Sequence, residues 1–286
     1  MKYIDLKDNN IIEKKESKLV LFLYNNFFGR LILKILTNPI ISKIGGLFLN
    51  SSFSCFLINK TIKKNNIDIT RYENKKYRSY NDFFTRKIKK IKINDGFISP
   101  CDAKLSVYKI DKNSTFDIKN SQYSIEDLIN SKLDKSYVGG YALIFRLEVT
   151  DYHRYIYIDS GRKSKNKYIK GILHTVRPIV LKYANIYKRN SREYTILDTD
   201  NFGKIIEVEV GALLVGKINN HHGEYAFKKG EEKGNFEFGG STIVLLVEKN
   251  KVVIDKRIIK NTKNNIETIV KIGDKIGEKL WYIQSF

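Results

Sequence analysis

Cysteine is nearly absent from this chain. Its 286 residues hold two, Cys55 and Cys101, too far apart for a Cys-x-x-Cys pair and too few for a disulfide framework. That scarcity points to a reducing, intracellular setting. Histidine is almost as rare: His153, His174, His221 and His222 are the four present. Their spacing from one another, from the cysteines and from the carboxylates suggests no zinc centre, so no metal is expected. No apolar run reaches the ~20 residues needed to cross a bilayer, and the first residues are polar and charged, unlike a signal peptide. The Gly-x-Gly-x-x-Gly and P-loop patterns are missing, as is any solenoid period. There is no Gly-x-Ser-x-Gly elbow of a serine hydrolase. No RRM, KH or helix-turn-helix signature accompanies the basic charge.

Acidic residues are also in short supply, 31 against 52 lysines and arginines, a formal net charge of +21. Such a balance suits a polyanionic partner, nucleic acid or an anionic membrane surface. It also suits a composition biased toward Lys, Asn and Ile, with the lysines simply solvating the surface. At 42% hydrophobic and 12% aromatic the chain can bury a core, and its length allows one large domain or two small ones.

Residues 1–17 read as a polar, frayed start. From Leu19 to Lys64 apolar residues recur at helical spacing, broken at Asn38-Pro39 and Gly45-Gly46, which predicts two or three short helices. Arg30, Lys34, Lys43, Lys60, Lys63 and Lys64 punctuate them, a pattern that fits either helices lying in a membrane interface or an ordinary helical cap on the core. Tyr80–Arg86 reads as a short amphipathic helix, and Ser124–Asn130 as another, capped by Ser124 with Glu126 and Asp127 in its first turn. Strand patterns follow at Val107–Ile110, Tyr141–Leu147, Tyr155–Ile158, Ile205–Val210, Leu213–Ile218, Thr242–Val247 and Val252–Ile254. The expected fold class is α+β: N-terminal membrane-associating helices, then a mostly antiparallel β core of barrel or sandwich type. The expected division is a helical region over 1–76 and a catalytic β-rich domain over 77–286.

One stretch stands out, Phe238-Gly239-Gly240-Ser241-Thr242-Ile243-Val244-Leu245-Leu246-Val247. Two glycines let the backbone bend sharply before Ser241, and the β-branched run after it reads as a strand. Alone, this is a turn feeding a buried strand. Three further stretches change its meaning: Ser99-Pro100-Cys101-Asp102-Ala103-Lys104, Asp151-Tyr152-His153-Arg154-Tyr155 and Val210-Gly211-Ala212-Leu213-Leu214-Val215-Gly216. In this order, ahead of Phe-Gly-Gly-Ser-Thr, they resemble the phosphatidylserine decarboxylase proenzymes, from about Tyr77 to the C-terminus. The Phe-Phe-x-Arg of Phe83–Arg86 resembles an element preceding the catalytic part of that family.

The resemblance implies self-cleavage between Gly240 and Ser241 into a β chain, 1–240, and an α chain, 241–286. These would stay together as a heterodimer, with further oligomerisation left open. Ser241 Oγ attacks the preceding carbonyl, a peptide becomes an ester, and β-elimination followed by hydrolysis leaves a pyruvoyl group at position 241, the family's covalent cofactor. A histidine held by a carboxylate would take the serine proton. The pyruvoyl ketone would form a Schiff base with the serine amine of phosphatidylserine, release CO2 and yield phosphatidylethanolamine. Asp102 matches the family's orienting aspartate, although an Asp after a proline turn is also an ordinary cap, and Ala103 stands where the family has Gly. His153 matches the histidine of Asp-Tyr-His-Arg. Many members carry a second histidine three residues on, assigned to self-cleavage; this chain has Ile156. Either His153 serves both steps, or His174 in Leu173-His174-Thr175-Val176 substitutes, with Asp102, as the cleavage base. The implied partner is phosphatidylserine in an anionic membrane, with no nucleic acid, and the implied place is the cytoplasmic side of the cell membrane, peripherally bound. The other readings are a pyruvoyl decarboxylase of a different amine, a serine hydrolase, and a non-enzymatic basic membrane binder.

Overall fold

The computed structural model describes residues 1–286 except 9, 16, 74, 119–120, 174–188, 213–216, 238–240 and 281–286. Its helices begin where the sequence supplies caps. Helix α1 spans Lys18–Asn25 and α2 spans Phe27–Leu36, with the Asn26 side chain accepting from the amides of Phe28 and Gly29. The two meet at 100°. A Cβ at Gly29 would lie 2.1 Å from the Phe22 carbonyl oxygen, so only glycine permits that corner. Helix α3, Pro39–Asn50, opens on an Asn38 cap with proline in its first turn, and α4 is Phe56–Asn65. The break expected at Asn38-Pro39 is present, whereas the Gly45-Gly46 pair lies inside α3; the other breaks fall at Asn26 and Ser51, whose backbones are extended. Helix α5 is Tyr80–Phe84, and α6, Ile125–Ile129, begins at Ser124 as expected.

The strands are β1 Lys2–Asp5, β2 Ile11–Glu13, β3 Phe97–Ile98, β4 Ala103–Lys109, β5 Thr115–Ile118, β6 Ser121–Ser124, β7 Tyr141–Leu147, β8 Arg154–Ile156, β9 Gly161–Lys163 and β10 Lys167–Ile169. They continue with β11 Arg192–Thr199, β12 Gly203–Val210, β13 Lys217–Asn220, β14 Tyr225–Phe227, β15 Glu232–Glu237, β16 Ser241–Val247, β17 Val252–Ile254, β18 Glu267–Val270 and β19 Lys275–Lys279. The main sheet runs β14-β9-β11-β12-β16-β7-β4-β18-β1-β2, with β10 sharing the edge of β11. All of its strand pairs are antiparallel except β1 with β18.

Two expectations change here. Among the described strands the sheet is an open path, with β14 at one edge and β2 at the other, and no barrel closes. The reason lies in the N-terminal residues read as frayed. Residues 2–13 add two strands beyond β18, and the last of them, β2, is exposed and pairs only with β1. Smaller sheets, β13-β15-β8 and β17-β19-β3, accompany the main one.

Strand β16 lies at the centre, and every one of its residues is buried. Alternation puts Ser241, Ile243 and Leu245 on one face, and the ladder puts Glu209 and Glu207 of β12 opposite Ile243 and Leu245 on that same face. Strand β15 meets this face through Lys233, fully buried, whose ammonium binds Glu209 and stands 3.9 Å from Glu207. Burial pushes the Glu207 carboxyl up to about 8, opposed by Lys233 and reinforced by Glu209, so Glu207 holds its proton near neutrality and Glu209 is the partner of Lys233.

Replacing Lys233 with Met strands two buried carboxyls. The expected cost is about 3–5 kcal/mol at pH 8. Carboxyls whose folded pKa is raised give up stability as pH climbs above their unfolded value. The loss should therefore shrink when urea unfolding is repeated near pH 5, whereas a loss independent of pH assigns the cost to packing.

Candidate active site

The register of three strands fixes the site. Arg146 of β7 lies opposite Lys104 of β4 on one side and opposite Thr242 of β16 on the other. Asp102, just before β4, and Ser241, the first residue of β16, therefore sit at the same end of the sheet. Ser241 faces Leu147, the last residue of β7. Thr242 lies opposite Val210, so Gly211 and Ala212 leave β12 at this end too, and Val270 of β18 lies opposite Ala103.

Asp102 is buried, and its carboxylate is bound on both oxygens. Oδ1 accepts the Ile272 amide at 2.9 Å and Oδ2 accepts the Lys271 ammonium at 3.0 Å. The turn that holds it is built by Ser99, whose hydroxyl donates to the Cys101 carbonyl at 2.7 Å, and by the Pro100 carbonyl, which accepts the Ile156 amide at 3.0 Å. Position 156 thus lies against the Asp102 turn. Here it is a buried isoleucine, and the cation paired with Asp102 is a lysine. Burial, followed by the charges of Asp102 and Asp151, pushes the adjacent Cys101 thiol well up, which keeps it inert as a nucleophile.

The chain passes from Leu147 into the Asp-Tyr-His-Arg motif through a tight turn. Asp151 takes the Glu148 amide at 2.8 Å and grips the buried Lys104 ammonium at 2.8 and 2.9 Å. Its backbone carbonyl stands 2.9 Å from His153 Nδ1. A carbonyl can only accept, so Nδ1 carries a proton, which leaves Nε2 as the nitrogen that can exchange one. His153 is fully buried, with Phe84 of α5 against its ring at a centroid distance of 3.9 Å. Its carbonyl accepts the Phe236 amide of β15 at 2.9 Å, the strand that leads to Ser241. Burial would lower the Lys271 ammonium, but Asp102 and then Asp151 outweigh it and raise it. That lysine senses both motifs, which brings Asp102 and the His153 loop into one neighbourhood.

Ser241 is fully buried, and its hydroxyl has no hydrogen-bond partner among the described residues. Gly240 and His174 lie outside the described residues. Leu173, immediately before His174, is described: its amide donates to the Thr37 carbonyl at the end of α2, at 3.1 Å. Of the other histidines, His222 Nδ1 stands 3.1 Å from the Tyr157 hydroxyl, with its ring stacked on Tyr225, and His221 Nε2 is 3.2 Å from Asn235. Among the described residues no group of His, Cys, Asp and Glu is arranged to hold a metal.

Asp102, the His153 loop and a buried Ser241 hydroxyl thus gather at one end of the sheet. The family model described as phosphatidylserine decarboxylase matches residues 80–278. The chain belongs to that family. Relatives include phosphatidylserine decarboxylase proenzyme 2 of Clostridium acetobutylicum, 47% identical over 96% of both chains. The proenzyme of Clostridium tetani is 41% identical over 92% of both, and that of Ruminiclostridium cellulolyticum is 40% identical over 95% of this chain and 94% of its own. For this member of the phosphatidylserine decarboxylase family, the sequence motifs pointed to Asp102, His153 and Ser241. They did not point to Lys271, Lys104 or the seat provided by Phe84. Lysine is so abundant here that no pattern sets those two apart.

Asp102→Asn preserves an acceptor for the Ile272 amide but removes the charge facing Lys271. The variant should still fold, and if the chain is cut before Ser241 as proposed below, appearance of the 241–286 fragment should slow by about 10²-fold or more. A time course of intact mass on freshly made protein measures this; unchanged kinetics would remove Asp102 from the cleavage machinery.

Proposed function

We propose that this chain is a phosphatidylserine decarboxylase that cuts itself between Gly240 and Ser241 and works through a pyruvoyl group formed at position 241. The observation that carries the reading is the convergence at one end of the sheet of Asp102, the His153 loop and a buried Ser241 hydroxyl, on a chain whose relatives are named as proenzymes. Ser241 suits the group: it is the first residue of a strand locked on both sides, so cleavage before it would free an end without unseating the strand.

In the cleavage, the Ser241 hydroxyl gives up its proton to a histidine as Oγ bonds to the Gly240 carbonyl carbon. The C–N bond breaks and the amine is freed, leaving an ester. Loss of the Ser241 α-proton expels the Gly240 carboxylate, and water then replaces nitrogen, released as ammonia. The reaction is intramolecular, so proximity supplies much of the acceleration. The pyruvoyl group would supply an electron sink for the pair left when CO2 departs. His153, held through Nδ1, would then deliver a proton to the substrate carbon from Nε2. With Ile156 in place, His174 is the favoured cleavage base together with Asp102. The alternative of His153 serving both steps gains weight from the contact of position 156 with the Asp102 turn.

Ser241→Ala should remain one chain and be inactive, because the nucleophile and the cofactor precursor vanish together. His174→Ala should accumulate precursor, and His153→Ala should still process but fail to decarboxylate. The reverse pattern assigns cleavage to His153. An uncut wild-type chain that decarboxylates phosphatidylserine would falsify the pyruvoyl reading.

The same reading places the N-terminal helices, within residues 1–76, on the cytoplasmic face of an anionic membrane, with residues 77–286 carrying the chemistry. No single described helix is long and apolar enough to cross a bilayer. Helices α1–α4 and their links instead expose a broad apolar surface, with Phe27 at 70%, Phe28 at 68%, Leu47 at 74% and Phe53 at 82% exposure, beside the exposed Arg30 and Lys34. A phenylalanine contributes about 1.5–3 kcal/mol when buried. Changing Phe27, Phe28 and Phe53 together to Ser should therefore sharply reduce sedimentation with phosphatidylserine-containing vesicles. Salt should weaken wild-type binding without abolishing it, since apolar insertion is not screened. Equal sedimentation of variant and wild type would contradict this placement.

A further inference from the structure

The substrate of the reaction proposed above carries a phosphodiester, and a buried site needs a cation to receive it. Most cations near this end of the sheet are already engaged. Lys104 is bound to both oxygens of Asp151, and Arg146 forks onto Glu267 at 2.6 and 3.0 Å. Arg154, the cation that the Asp-Tyr-His-Arg motif suggests for a headgroup, donates to the Thr85 carbonyl at 2.8 Å and to Glu232 at 2.6 Å. Lys233 is sealed in the core.

Lys271 differs from these. Its ammonium touches Asp102 at 3.0 Å, yet 40% of its side chain is exposed. A lysine ammonium has three N–H donors and rotates freely, so one bond to Asp102 leaves donors for an incoming anion. The strand pairing puts Lys271 directly after Val270, in the row that continues through Ala103 and Leu147 to Ser241. Arg71, exposed on the short helix Ile69–Arg71 that follows α4, adds a second positive charge in its field. The cation thus has the proposed triad aspartate on one hand and a part-exposed flank on the other.

We infer that Lys271 is a substrate-binding residue that receives the phosphate of the lipid headgroup, anchored for that task by Asp102. The carboxylate is the other anionic group available, and it is the poorer fit. It loses its charge as CO2 leaves, so an ammonium paired with it would stabilise the ground state more than the transition state and slow the reaction. The phosphodiester keeps its charge throughout, so holding it positions the headgroup without opposing the chemistry.

The inference rests on the decarboxylase reading, and its test separates the two. Wild type, Lys271→Met, Lys271→Gln and Lys271→Arg are first checked by intact mass for processing. They are then assayed with short-chain phosphatidylserine below its micelle concentration, and the short-chain phosphatidylethanolamine product serves as inhibitor. Inactive wild type on this substrate would sink the decarboxylase reading itself. If Lys271 holds the phosphate, the Met and Gln variants process normally and KM rises about ten- to hundredfold. In that case kcat changes little, Lys271→Arg restores most of the loss, and product inhibition weakens in parallel, because the product retains the phosphodiester but lacks the carboxylate. A raised KM with unchanged product inhibition would assign Lys271 to the carboxylate and overturn the inference. So would an unchanged KM, and so would variants that stay uncut, which would confine Lys271 to positioning Asp102 for self-cleavage.

Discussion

The ladder that holds β16 between β7 and β12 is the constraint on which the rest depends. Strand β16 pairs along its whole length with β7 and over most of it with β12, and none of its residues reaches solvent. That double pairing sets Ser241 in a single row with the ends of β7 and β4. The same register brings Asp102 and the His153 loop to the end of the sheet where Ser241 begins. It also explains how a cut before Ser241 is tolerable. The piece that would be released, residues 241–286, contains β16 at the centre of the sheet and β18 between β4 and β1. Removing it would tear open interior ladders and expose strands that are buried on both faces, so the fragments would stay interlocked.

Charge is buried around this ladder in matched groups. Lys104 with Asp151, Arg146 with Glu267 and Glu148, and Lys233 with Glu209 and Glu207 each join two or more elements. Such pairs add less stability than apolar packing of equal volume, but removing one member is costly. They therefore act as register pins. A slip of one residue along β4, β7 or β12 would carry a charge to the opposite face without its partner. The pins stand beside the site, where a misplaced serine or aspartate would matter most.

Much of this was legible in the sequence because the physics is local. The β-branched run after Gly240 has the period and composition of a core strand, Tyr141–Leu147 was bounded as found, and Ser124 capped α6 with its hydroxyl on the Asp127 amide. Asn38 announced α3, but Gly45-Gly46 did not interrupt it, because glycine weakens a helix without forbidding one. The long-range features were not legible. Lys2–Asp5 looks like a polar tail, and only its ladder with β18 makes it a strand. The pairing of Asp102 with Lys271 joins residues far apart in sequence, and nothing in either segment marks the contact. The open sheet was missed for the same reason: whether two distant edges meet is set by the sum of twist and strand order, which local pattern does not encode.

Ser241 is the residue proposed to change chemically, and the C-terminal fragment would carry that change. Mass spectrometry of the purified protein should show residues 241–286 lighter than the encoded peptide by one ammonia. After incubation with phosphatidylserine and a borohydride reductant, the fragment should gain the mass of the amine-bearing lipid less one oxygen, water being lost in the condensation and two hydrogens added by the reductant. A fragment beginning with unmodified serine, or an intact 286-residue chain that is fully active, would contradict the account.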